Sequence, residues 1–162
     1  MAGSLQRILA ATDLSEPAEH AARRALTVAG PAGAEVILLH VLAEGPLQRL
    51  REVLGRGEAE AVRSAALAEA GERLATLRER LARELAGKLA AEAVAGNPNT
   101  AISAYAAERD CDLLVVGGTG VGRDLTHPFA GITAQKVVRT ADRPVLVARG
   151  GGDPTRPYRR VL

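Results

Sequence analysis

Residues 117–122 read Gly-Gly-Thr-Gly-Val-Gly, and Arg123 follows them. The run leaves an apolar segment, Asp112 to Val116, that ends on two β-branched valines. Glycine has no Cβ, so its backbone reaches positive φ and comes close to a ligand. Successive N–H groups in such a turn converge into a nest that holds an anion. A further glycine, Gly131, opens the pattern of a helix over 131–140, which adds unpaired N–H donors and the positive end of a helix dipole. Arg123 supplies a formal charge and Thr119 a small hydroxyl. These groups suit the phosphates of a di- or triphosphate; a tight turn with no ligand is the other reading of the same run. The run lacks the glycine–lysine–serine end of a Walker loop. It follows the fourth strand of the pattern, not the first, so it is no Rossmann fingerprint.

Other reactive side chains are scattered. Asp13 precedes Ser15, so it either accepts hydrogen bonds from a ligand or shapes the turn into the first helix. His40 reads as a strand-end histidine satisfied by a hydrogen bond. His127, before Pro128, either meets phosphate or is a surface histidine in a turn. Cys111 precedes a buried strand and reads as a small apolar filler. Lys136, one turn into the last helix, reads as solvated. Phosphoryl transfer needs a metal site and a positioned nucleophile. Asp13 has no second acid at a supporting spacing. No serine–histidine–aspartate order or metal-ligand cluster is visible either.

The elements that would position these groups alternate along the chain. Near-continuous apolar runs at 5–12, 34–41, 112–117 and 144–149 read as strands buried on both faces, and a weaker one lies at 89–95. Ser15 caps a helix to about Gly30 with Pro17 in its first turn and a small inner stripe: Ala18, Ala21, Ala22, Ala25, Leu26 and Ala29. A short helix spans 47–54, broken off by Gly55 and Gly57. A long one over 58–86 carries Leu67, Leu74, Leu77, Leu81 and Leu85 on one face. Asn97–Pro98 starts a helix to about Arg109. Strict alternation predicts a doubly wound, five-stranded, mainly parallel sheet with helices on both faces.

The 162 residues make one domain, 1–149, followed by a glycine-rich, then basic tail, 150–162, that reads as flexible unless something docks it. A net charge of +2 does not argue for nucleic acid, and 2% aromatic content leaves no base-stacking platform. No run is long and apolar enough to cross a bilayer. One cysteine precludes an internal disulfide, and the expected location is cytoplasmic.

Four stretches carry a resemblance to a known family. They are ILAATDLSEPAEHAARRAL (8–26), VILLHV (36–41), GNPNTAISAYAAERDCDLLVVGG (96–118) and GGTGVGRDLTHPFAGITAQKVVRTADRPVLVAR (117–149). In this order they resemble the universal stress proteins. The resemblance implies an adenine nucleotide alpha hydrolase-like domain that binds ATP or another adenine nucleotide (AMP, ADP), with or without magnesium. It also implies a homodimer through the last strand, 144–148, and a role in stress adaptation. Carried over position by position, Ala11, Thr12 and Asp13 lie by the adenine and ribose, and Val41 reaches the adenine edge through its backbone. Val116, Gly117, Thr119 and Gly120 line the ribose and phosphates; Gly131, Ile132 and Thr133 close the other side. The family's ATP-binding branch has nine residues between the second and third glycines, then serine or threonine. Here ten residues separate Gly120 from Gly131, and Ile132 takes the hydroxyl position. AMP, ADP or a signalling nucleotide therefore fits as well as ATP.

The expected function is nucleotide binding without catalysis. The alternatives are a slow ATP hydrolase or phosphotransferase on the same fold, and a nucleotide-free interaction module.

Overall fold

The computed structural model describes residues 5–118, 132–150 and 152–156. In chain order the elements are β1 (Arg7–Ala11), α1 (Glu16–Ala29), β2 (Glu35–Ala43), α2 (Glu44–Leu54), α3 (Arg56–Glu84), β3 (Lys88–Gly96), α4 (Pro98–Glu108), β4 (Leu113–Gly117), α5 (Ile132–Thr140) and β5 (Val145–Ala148). The strands form one sheet in the order β3-β2-β1-β4-β5, every neighbouring pair parallel. The winding runs outward from β1 through β2 to β3, then crosses back to β4 and β5. Its direction reverses between β1 and β4.

Alternate residues of the central strands feed two apolar layers, as the two-residue period of a strand requires. Ile8, Ala10, Val36, Leu38 and Val115 face α1 and α3, meeting Ala21, Ala22, Ala25, Leu74, Leu77 and Leu81. Leu9, Ile37, Leu39, Leu114 and Val116 face α4 and α5, meeting Ile102, Tyr105, Ala106, Ala134 and Val137. The small stripe expected on α1 is buried throughout. Of the leucine stripe on α3, Leu74, Leu77 and Leu81 are buried, whereas Leu67 and Leu85 are only partly so.

Three boundaries differ from the sequence reading. α2 begins at Glu44, directly off β2, and α3 begins at Arg56, so Gly57 lies inside a helix. Gly55 alone separates the two, at φ 89° and ψ 170°, a conformation open to glycine and strained for other residues. The weak third run is a nine-residue strand, paired with β2 along its whole length from Lys88 to Gly96. Alanine disfavours strands intrinsically, so this one is imposed by its neighbour. In the tail, residues 153–156 lie against α1, where Arg24 donates to the Asp153 and Arg156 carbonyls and the Thr27 hydroxyl lies 2.8 Å from that of Pro154.

At the amino end of the sheet, Asp112 joins β4 to β1. Its Oδ2 accepts from the N–H groups of Gln6 (2.8 Å) and Arg7 (2.9 Å), while its own N–H donates to the Arg7 carbonyl (2.8 Å). The two main-chain donors, Arg7's first, hold the carboxyl below its ordinary range. A carboxylate with a depressed folded-state pKa stabilises the fold above its unfolded pKa, and that contribution disappears as pH falls through the folded value. Asp112→Asn should therefore cost about 1 kcal/mol at neutral pH, a low figure because the group is partly solvated. It should also flatten the acid-side loss of stability below about pH 4. Urea denaturation of both proteins between pH 3 and 7 measures this, and parallel pH profiles would contradict it.

Candidate nucleotide site

The carboxyl edge of the sheet is uneven. β1 pairs with β2 up to Ala11 opposite Leu39. β2 continues to Ala43 with β3 as its ladder partner. On the other flank β4 runs on through Val116 and Gly117 beside β5. The central strand thus ends below its neighbours, leaving a step walled by His40–Ala43 on one side and Val116–Gly118 on the other. This step stands where the winding reverses, the place at which open α/β sheets hold ligands.

Local hydrogen bonding stops β1 there. The N–H of Thr12 donates to the Leu39 carbonyl (2.9 Å), and the Thr12 carbonyl lies 2.9 Å from Nδ1 of His40. That geometry makes Nδ1 the protonated, donating nitrogen. The buried Thr12 hydroxyl accepts from the N–H of Leu14 (3.0 Å), which sits in the left-handed region at φ 64°. His40 is thus satisfied by a hydrogen bond, as the sequence suggested, but it lies within β2, three residues short of the strand's end.

Asp13 stands exposed at the lip of the step. Its Oδ1 accepts from the Ser15 N–H (3.0 Å) and from the Ser15 hydroxyl. It therefore shapes the turn into α1, one of the two roles the sequence left open. Ser15 caps α1, its Oγ accepting from the Ala18 N–H at 3.4 Å.

The other expected residues divide by position. Ala11 and Val41, both partly buried, pack on the α4–α5 layer; Val116 is buried in it. These three share the floor and walls of the step with Thr12 and Gly117. Thr133 is exposed in the first turn of α5, and Lys136 is exposed further along it. Ile132 opens α5, but its side chain lies outside the described residues, as do Thr119, Gly120, Arg123, His127 and Gly131. Among the described residues no group of three or more histidine, cysteine, aspartate or glutamate side chains is placed to hold a metal ion.

Gly118 was not singled out from sequence. Its N–H donates to the Ala148 carbonyl (2.8 Å), so one amide of the glycine run belongs to the β4–β5 junction. A Cβ here would come within 3.1 Å of the Arg149 Cγ and 3.4 Å of the Ala148 oxygen. The doubled glycine at 117–118 was the available sign of such a close approach.

The Universal stress protein family model matches residues 4–149. The chain belongs to the universal stress protein family. Universal stress protein MJ0531 of Methanocaldococcus jannaschii is 30% identical over 144 residues, covering 89% of this chain and 82% of that protein. The solved structure of protein MJ0577 superposes with a TM-score of 0.77 at 25% identity, over 93% of this chain and 99% of the other. Two further structures hold a nucleotide. One is a universal stress protein in complex with cAMP (TM-score 0.57, 24% identity, 91% of this chain and 98% of that one). The other is the Archaeoglobus fulgidus universal stress protein in complex with dAMP (0.61, 22%, 88% and 96%). At those identities the likeness concerns the fold.

The cap bond at Ser15 is long, so its loss should lie at the low end for N-caps. Ser15→Ala is expected to cost about 0.5–1 kcal/mol, read from the shift in urea midpoint. A loss well above 2 kcal/mol would mean that the Asp13–Ser15 turn organises more of the edge than α1 alone.

Proposed function

We propose that this protein binds an adenine nucleotide in the step above β1 and acts, without turnover, in stress response or regulation. The observation that carries this reading is the early end of β1 at the winding switch, between the ends of β2 and β4. Adenine fits beside Ala11 and Val41, its edge read by the Val41 backbone, while Val116 lines the ribose and phosphates. Thr12 and Asp13 stand by the ribose, and the exposed Asp13 carboxylate accepts from ribose hydroxyls. The phosphates lead toward Gly117, Thr119 and Gly120 of the 117–122 run, and toward Gly131, Ile132 and Thr133 at the start of α5. The helix dipole there favours negative charge. The cAMP and dAMP complexes of the two fold neighbours support an adenylate as ligand. Ile132 and the ten-residue spacing after Gly120 favour AMP, ADP or a signalling nucleotide at least as much as ATP.

Calorimetric titration with AMP, ADP, ATP and cAMP, with and without magnesium, tests this. AMP should bind and no phosphate should be released from ATP. Asp13→Ala should weaken AMP about tenfold, the effect of one hydrogen bond to a charged group. Absence of heat at millimolar nucleotide would make the chain an interaction module. Magnesium-dependent phosphate release lost in Asp13→Ala would make it an enzyme.

We also propose a homodimer through residues 144–148. β5 is an edge strand of four apolar residues, partly buried along most of its length, and edges of this kind are usually covered. Light scattering at micromolar concentration should report twice the 16.8 kDa chain mass. A monomer under those conditions would refute it.

A further inference from the structure

α1 buries a stripe of alanines, and Arg24 among them is only 9% exposed. A buried guanidinium is costly unless its donors are satisfied. Here Nη1 donates to the Arg156 carbonyl (2.5 Å) and Nη2 to the Asp153 carbonyl (2.9 Å). One turn further along α1, the Thr27 hydroxyl lies 2.8 Å from the Pro154 carbonyl. All three acceptors lie beyond residue 149, where the family match ends. Asp153 curls this segment: its Oδ1 accepts from the Thr155 N–H (2.9 Å) and hydroxyl (2.6 Å), and the Arg156 N–H returns to the Asp153 carbonyl (3.2 Å). The planar fork of arginine suits two carbonyls at once, which an ammonium on a flexible stem does not.

The segment is joined to β5 by Arg149 and a run of three glycines, 150–152. β5 has only four residues. Its last carbonyl, that of Ala148, receives the Gly118 N–H, and the Arg149 side chain packs over Gly118. We propose that residues 152–156 form a clasp, closed on Arg24, that fixes the end of β5 against α1 and through Ala148 positions the start of the glycine run. The clasp makes Arg24 a positioning residue for the phosphate side of the site. This consequence rests on the nucleotide reading above; the clasp itself does not.

Hydrogen exchange on the full chain, read by mass spectrometry, tests it with Arg24→Ala and Asp153→Ala. Asp153 is exposed, so its replacement leaves both apolar layers intact and carries the test if Arg24→Ala does not fold. In both variants, peptides spanning 152–156 should exchange about tenfold faster, and those spanning 113–118 several-fold faster. AMP affinity should fall about three- to tenfold. Unprotected exchange of 152–156 in the unaltered chain would overturn the clasp. Release of 152–156 with 113–118 unchanged would overturn its positioning role. If the unaltered chain binds no AMP, the nucleotide reading fails by itself and the exchange comparison still decides the clasp.

Discussion

Three hydrogen bonds converge on Thr12, and the carboxyl edge of the sheet is arranged around them. A strand that ends inside a sheet leaves main-chain donors and acceptors that must find partners. Leu39 takes the N–H, His40 serves the carbonyl, and the Thr12 hydroxyl engages the next turn through Leu14. With those groups satisfied, β1 can stop while β2 and β4 continue. The hollow at the winding switch follows from this difference in strand length. Beyond the Thr12 hydroxyl and the His40 ring, the difference in length is made by main-chain pairing.

The two layers beneath keep that edge rigid by different means. Alanines along α1 let the helix lie close over β1 and β4. α3 reaches the same face with leucines one or two turns apart, bridging a wider gap. On the opposite face Tyr105 is the one buried aromatic side chain among the described residues, and its hydroxyl donates to the Glu92 carboxylate on β3. Arg109 donates to the same oxygen at 2.9 Å and lies 5.2 Å from the Tyr105 ring centroid. Burial, with the adjacent carboxylate, raises the phenol well above its ordinary value, so this oxygen keeps its proton and remains a donor. The cluster ties α4 to the outer strand β3, where small side chains alone would pack poorly.

Much of this was legible because the fold repeats a local signal. Continuous apolar runs separated by capped helices leave few arrangements other than a doubly wound parallel sheet. The caps at Ser15 and Asn97 were readable for the same reason, since the side chain that accepts the bond is adjacent in sequence to its donor. β3 was weak because Ala90–Ala95 has only Val94 to favour a strand until β2 is beside it. Arg24 was not legible at all. Its position breaks an alanine stripe, but its partners lie more than a hundred residues away and are carbonyls, which no side-chain pattern reveals. Of the site, the residues at the ends of β1, β2 and β4 came from the family resemblance, and strand order puts them along one edge of the sheet. Thr119, Gly120, Gly131 and the Ile132 side chain lie outside the described residues.

α2 leaves β2 immediately beyond the wall of the hollow and buries none of its residues. It is tied to α3 by Arg51–Glu60 and Glu44–Arg63 pairs, each 3.5 Å, the first exposed and the second partly buried at the Arg63 Nε. Pairs of that kind contribute little in salt. α2 therefore belongs to neither apolar layer. Substitutions along it leave the packing that carries the sheet untouched, so this segment can diverge in sequence while the fold does not.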